Sequence, residues 1–277
     1  MVVTVKTIDF NKLDYVRTVI LSHHHRLTED AFEYFKKSDS LLQVSDVKEN
    51  SFMLSCYRTK NEDMPELFYS KAHDIISHFL IAINVATLGH FTWDFRFISP
   101  VPYQYVDVKK NEAHFLFAGT QKYVSEEEEL LQIEKPLIWR TLQLLIALGH
   151  EKDRPLTTEY IKGLYNLHNG FFDINFMNES FSNFYKAFEY FCTERMLQVK
   201  KLKNEKKQLR CVLSDFGFKD DALKDFDKIY FTRCNLAMHA QKGLQAIDKE
   251  VVIRIKIFLD SIMHKYYQPV WEKILKK

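Results

Sequence analysis

Apolar and polar positions along this chain repeat with two different periods, and the period changes near residue 125. Over residues 2–10 (VVTVKTIDF) the alternation has the period of two that a half-buried strand requires. Segments 41–47 (LLQVSDV) and 51–59 (SFMLSCYRT) flank Lys48, Glu49 and Asn50 and predict a β-hairpin. Residues 65–89 open on Pro65, close on Gly89 and carry an apolar stripe at helical spacing, which predicts one helix. Segments 90–99 (HFTWDFRFIS) and 113–119 (AHFLFAG) alternate aromatic residues with others and predict strands. The first half is expected to be an α+β module.

The stretch 125–136 (SEEEELLQIEKP) is the expected domain boundary, because four consecutive glutamates repel one another and Pro136 suits a fresh helix start. Beyond it the period is helical throughout. Helices are predicted over 136–150, 157–168, 179–203, 220–241 and 248–266, with a short last piece from Pro269. In the third, Phe181, Phe184, Phe188, Phe191 and Arg195 follow one stripe. In the fifth, Asp248 suits an N-cap, and Val251, Val252, Ile255, Phe258, Leu259, Ile262, Met263 and Tyr266 lie on the apolar face. Short connections between amphipathic helices predict an all-α antiparallel bundle. The expected organisation is an α+β module over 1–134 and a helical domain over 135–277.

Composition agrees with two packed domains. Of 277 residues, 46% are hydrophobic and 14% aromatic, with only 7 Gly and 6 Pro, which excludes a disordered or fibrous chain. No run of about 18 apolar residues predicts a membrane span, and the first residues lack the apolar core of a signal peptide. Cys56, Cys192, Cys211 and Cys234 form no CxxC pair and are expected to be reduced, in a cytoplasmic protein. Charge is unevenly divided. Residues 1–134 hold 14 Lys+Arg against 20 Asp+Glu, and residues 135–277 hold 25 against 17. The basic half is able to attract a polyanion.

The candidate chemistry sits in 231–240 (FTRCNLAMHA). The stripe Leu223, Phe226, Tyr230 continues into Arg233, where the next apolar residue belongs, and a buried arginine must find partners. Lys228, Thr232, Asn235 and His239 fall on an adjacent face, with Asn235 and His239 four apart. His239 is expected near the helix end, where the dipole favours imidazolium. An arginine, a histidine and an amide around one phosphodiester suggest RNA cleavage. The guanidinium would grip the phosphate and stabilise a pentacoordinate transition state. The histidine would take the proton of a 2′-hydroxyl or give one to the leaving oxygen. Such a reaction yields a 2′,3′-cyclic phosphate and a 5′-hydroxyl with no metal or other cofactor. The structural alternative is an Arg paired with an acid and a His on a helix end.

Residues 179–266 resemble the HEPN family (higher eukaryotes and prokaryotes nucleotide-binding domains) in FSNFYKAFEYFCTERMLQ, KDFDKIYFTRCNLAMHA and DKEVVIRIKIFLDSIMHKYY. The resemblance covers about half of the chain and none of residues 1–134. It implies a helical bundle acting as a metal-independent endoribonuclease, commonly a toxin or anti-phage effector, with a composite site at a homodimer interface. Arg233 and His239 then inherit the catalytic roles, with Asn235 orienting. The chain departs from the family pattern at Cys234, where Asn, Asp or His commonly follows the arginine. It departs again at Gln241, where one toxin subset has a tyrosine that its partner modifies. Arg and His six apart point about 120° from one another with about 9 Å of rise, so a two-fold pairing of this helix would help both reach one phosphate.

Other candidates are supporting ones. Tyr230 lies beside Arg233 on the stripe, and Glu189 and Glu194 on the long helix are either surface acids or the partner of Arg233. Lys200, Lys201, Lys203, Lys206, Lys207 and Arg210 make a basic run that either tracks an RNA backbone or forms a solvated helix end. His23, His24 and His25 are expected in a surface turn, not a metal site, since adjacent histidines on regular structure point apart. His73 and His78 lack metalloprotease spacing, and there is no Gly-rich phosphate loop or GxSxG. Expected partners are RNA, a second copy, and a trigger or neutralising partner. The competing reading is a noncatalytic module that binds nucleotide, RNA or protein.

Overall fold

A computed structural model describes residues 15–36, 41–58, 65–93, 104–107, 112–113, 131–150, 154–169, 174–237 and 247–272. The chain divides into two compact units, Met1–Gly149 and His150–Lys277. The first is α+β with a small antiparallel sheet, and the second is helical.

In the first unit, strand β1 (Tyr15–Ser22) is central. It pairs antiparallel with β4 (Ser51–Tyr57) from Tyr15↔Tyr57 to Leu21↔Ser51. Its other edge is shared by β5 (Phe91–Trp93) and β6 (Gln104–Asp107), and β6 pairs antiparallel with the short β7 (Glu112–Ala113). Strand β3 (Leu42–Lys48) completes the predicted hairpin with β4, through an irregularity between Ser45 and Lys48 where Asp46 takes φ 50°. Helix α1 (Pro65–Thr87) is the predicted helix, and its stretch Phe79–Ala86 is buried on every side. Phe79 meets Phe35 and Phe52 edge-on at 5.4 and 6.1 Å. Asn84 fixes the exit of α1: its Nδ2 donates to Phe91 O at 2.9 Å, and Phe91 N–H donates to its Oδ1 at 2.9 Å. The expected strand 2–10 lies outside the described residues, as do residues 94–99 and 114–119 of the two other expected strands.

The boundary expected at 134/135 falls later, at 149/150. Helix α2 (Lys135–His150) is tied to the first unit, not the second. Trp139 packs on Tyr34 at 5.0 Å between ring centroids, and Lys135 pairs with Glu33, both on the 3₁₀ turn Glu29–Phe35. Just before it, β8 (Leu131–Gln132) lies parallel to β2 (His25–Arg26), so the acidic tract ends in paired backbone and not in a linker. The histidine run is not simply a surface turn either. His25 is buried and stacks on Phe91, and His23 Nε2 lies 2.9 Å from Thr92 Oγ1.

The second unit is built on α3 (Arg154–Asn169) and α4 (Ile174–Tyr190). They approach so closely at Gly163 that a Cβ there would meet the Phe184 ring at 2.8 Å, and Ser180 Oγ donates to Gly163 O at 2.7 Å. Of the predicted stripe, Phe181, Phe184, Phe188 and Phe191 are fully buried, and Arg195 at its end is half-buried. Phe188 packs between Phe226 of α6 (Asp220–Thr232) and Phe258 of α7 (Lys249–Glu272) at 6.1 and 5.8 Å. Three expected boundaries change. The helix expected over 179–203 begins at Ile174, opens into a π-helical turn at Phe191–Leu197 and stops at Gln198, whose φ is 53°. Part of the basic run forms a separate helix, α5 (Glu205–Asp215), capped by Asn204 and closed by Gly217 at φ 80°. Helix α7 runs through Pro269, because Tyr267 and Trp271 on either side are both buried.

A charged network lies inside this core. Asp260 accepts from Tyr160 Oη at 2.6 Å and from Lys256 Nζ at 2.7 Å, with Lys256 and Asp260 only 1% and 0% exposed. Burial pushes the Asp260 carboxyl up and the Lys256 ammonium down, and each charge opposes the shift of the other.

Candidate functional site

Helix α6 continues past Thr232 into a second π-helical turn, Arg233–Ala237, and Arg233 is its first residue. Such turns insert one residue into the helical register and recur at functional sites. The sequence supplies a reason for the break at this position, since Arg233 replaces an apolar residue on the inward stripe and its guanidinium must reach polar partners.

It reaches them between two rings. The Arg233 guanidinium lies 5.4 Å from the Tyr185 centroid and 5.8 Å from that of Tyr230. Its Nη2 is 3.1 Å from Glu205 Oε2, at the first turn of α5. Glu205 is held from its other oxygen, where Tyr185 Oη donates at 2.6 Å. The side chains of Arg233 and Glu205 stay 24% and 19% exposed, so the pair is sheltered and still open to solvent. Burial works against the arginine's charge, but Cys234, Glu205 and Tyr185 outweigh it and raise its pKa. Burial, then the hydrogen bond to Glu205, keeps the Tyr185 phenol protonated far above its ordinary range. Burial and Glu205 likewise raise the Tyr230 phenol. The carboxyl of Glu189, one turn along α4 from Tyr185, is raised first by burial and then by Glu205, with Arg233 pulling the other way.

The partner of Arg233 is therefore Glu205, so of the two roles open to Glu189 and Glu194 the ion pair with Arg233 falls to another acid. Those two acids line a cavity of about 410 Å³ beside α4. Asn235 Nδ2 donates to Phe231 O of its own helix at 2.9 Å. His239 lies outside the described residues, so the expected approach of Asn235 and His239 to one phosphate lies outside them too.

The structure separates the basic run into distinct places. Lys206 Nζ sits 3.1 Å from Asp227 Oδ1 and 5.6 Å from the Tyr230 centroid, and Arg210 pairs with the other Asp227 oxygen. Lys200 and Lys201 line the cavity. Lys203 and Lys207 are exposed on the cap of α5, where Lys207 N–H donates to Asn204 Oδ1 and Lys203 N–H to Gln208 Oε1. Sequence reasoning missed Tyr185 and Glu205. Tyr185 passes for a core aromatic beside the Phe stripe, and the signal for Glu205 was its being the sole acid in KKLKNEKKQLR. Phe231, 65% exposed on α6, is a further residue that sequence periodicity did not single out.

Among the described residues no group of three or more His, Cys, Asp and Glu is placed to hold a metal ion, and no helix is long and apolar enough to cross a membrane. Compared with protein families, curated proteins and solved structures, the chain gives no match.

Proposed function

We propose that the second unit is a HEPN-like, metal-independent endoribonuclease. The observation that carries this reading is the setting of Arg233: a cation on a π-helical turn, flanked by Tyr185 and Tyr230, countered by Glu205 and still partly open to solvent. A guanidinium oriented by its own protein before a ligand arrives stabilises developing phosphorane charge with little reorganisation. On this reading the 2′-oxygen of an RNA nucleotide attacks the adjacent phosphorus and the bond to the 5′-oxygen breaks. His239, assigned by the family resemblance, takes the 2′-hydroxyl proton and returns one to the leaving oxygen. The products are a 2′,3′-cyclic phosphate and a 5′-hydroxyl. Arg233 binds the nonbridging oxygens through its planar fork, Tyr230 supports it, and Asn235 orients the site. The reading includes a homodimer with two such helices at its axis, in a cytoplasmic defence or stress effector.

A second reading is favoured by the 3.1 Å ion pair, which already satisfies Arg233 from within. On that reading the unit binds nucleotide, RNA or a protein partner without cutting. Cleavage of a mixed RNA pool in EDTA separates the two. The catalytic reading predicts cutting by the wild type and a loss of at least about 100-fold in Arg233→Ala and His239→Ala, the scale on which removal of one transition-state donor or one general acid/base is felt. Binding without cutting in all three proteins supports the second.

A further inference from the structure

The π-helical turn Phe191–Leu197 and the left-handed Gln198 turn the chain sharply at the end of α4, and the segment after it leads into the first turn of α5. The cavity of about 410 Å³ is an open cleft lined by the end of α4, that turn and the segment that follows it. Its volume falls in the range of small-molecule sites, roughly 300–1,000 Å³. Glu205 belongs both to its wall and to the Arg233 ion pair, so one side chain joins the two sites.

The lining has three kinds of chemistry. Lys186, Lys200 and Lys201 bring three ammonium groups, and Lys186 is held only loosely, 3.9 Å from Glu159 Oε2. Glu189 and Glu194 add carboxylates that accept from amino or hydroxyl donors, and Tyr190 adds an aromatic ring. A nucleotide unit presents the complement of each: a phosphate for the lysines, base amines and sugar hydroxyls for the carboxylates, and a flat π-face for the tyrosine. An inorganic anion would meet three unwelcome carboxylates, Glu205 among them, and an acidic peptide would have no use for them.

We infer that this cavity is a nucleotide subsite, with Lys186, Lys200 and Lys201 on the phosphate and Tyr190 against the base. The inference rests on the ribonuclease reading in one respect, namely that the nucleotide bound here neighbours the phosphate placed on Arg233. The basic run is thereby split by role. Lys200 and Lys201 bind ligand, whereas Lys206 serves the Asp227 pair and Lys207 is exposed on α5 and not part of the cavity lining.

The test measures binding by the full chain at several salt concentrations, using a 2′-O-methyl RNA hexamer, which cannot be cut by its own 2′-oxygen, and AMP. The proteins are wild type, Lys200→Ala/Lys201→Ala and Lys206→Ala/Lys207→Ala, which lose the same charge. Matched thermal melts show that each is folded. The expected result is at least tenfold weaker binding for Lys200→Ala/Lys201→Ala with a salt slope shallower by about 0.7, the loss of one phosphate contact on a single strand. Lys206→Ala/Lys207→Ala stays within about twofold of the wild type. If AMP shows the same selective loss, the ligand is a free nucleotide, and if only the hexamer does, it is a residue of a strand. Equal losses in both double variants, or none in either, overturn the subsite. Because cutting is blocked in this experiment, an inactive Arg233 site would leave the result unchanged, so the two readings fail separately.

Discussion

At the scale of single residues, the second unit contains two arrangements of buried charge with opposite consequences. Asp260 has no access to solvent and holds both Lys256 and Tyr160. Removing one partner of such a pair leaves the other charge buried without compensation, at a cost of about 3–5 kcal/mol. Asp260→Ala is expected to lose stability on that scale in urea unfolding, whereas Lys256→Met/Asp260→Leu, which removes both charges, should lose much less. Equal losses would show that packing and not charge governs the site. Glu189 is the milder case. Burial, then Glu205, holds its carboxyl above the ordinary value, so between its unfolded and folded pKa folding takes up a proton. This contribution is favourable in acid and is lost as pH rises through the folded pKa. Glu189→Gln should accordingly raise Tm near pH 7 and leave it nearly unchanged near pH 4. A melt series that gains at pH 4 instead would reverse the sign of this account.

At the scale of elements, what could be read from the sequence follows from how much each segment depends on distant partners. The Phe181, Phe184, Phe188, Phe191 stripe repeats every three to four residues, and α4 forms around it as the pattern requires. The hairpin of β3 and β4 and the start of α1 at Pro65 are equally local signals. Strand β1 is different. Its buried positions include Thr18 and Ser22, and only pairing on both edges makes YVRTVILS the centre of a sheet. Helix α5 offers only Leu209, Val212 and Leu213 as buried residues among many charges, too short a stripe to stand out. The π-helical turn that walls the cavity has no sequence signature, and the one that carries Arg233 is marked only by the charge that interrupts the stripe. For the candidate site, Arg233 was legible because a charge interrupted a stripe. Its partners were not, because Tyr185 and Glu205 come from two other helices, 48 and 28 residues earlier in the chain.

At the scale of the whole molecule, the division at Gly149 and His150 assigns α2 to the α+β unit. Lys135 and Arg140 move with it, and the helical unit keeps 23 Lys+Arg against 17 Asp+Glu, still basic enough to draw a polyanion. The boundary has a direct consequence for truncation. A fragment of residues 150–277 contains its own buried core and is expected to melt cooperatively. A fragment of 135–277 carries α2 away from Glu33, Tyr34 and the β2–β8 pairing, exposing Ile138, Leu144 and Leu148. It should aggregate more readily and melt no higher. A higher and sharper melt for 135–277 would return α2 to the helical unit. The central claim, that Arg233 of this basic unit serves RNA cleavage by the substrate's own 2′-hydroxyl, is tested most directly with one short RNA and its copies bearing single 2′-deoxy substitutions. The account predicts that wild type leaves a 2′,3′-cyclic phosphate, that deoxy substitution at the nucleotide 5′ to the cut abolishes cleavage there, and that Arg233→Ala leaves both RNAs intact. Cleavage that persists at the deoxy position, or in Arg233→Ala, would contradict it.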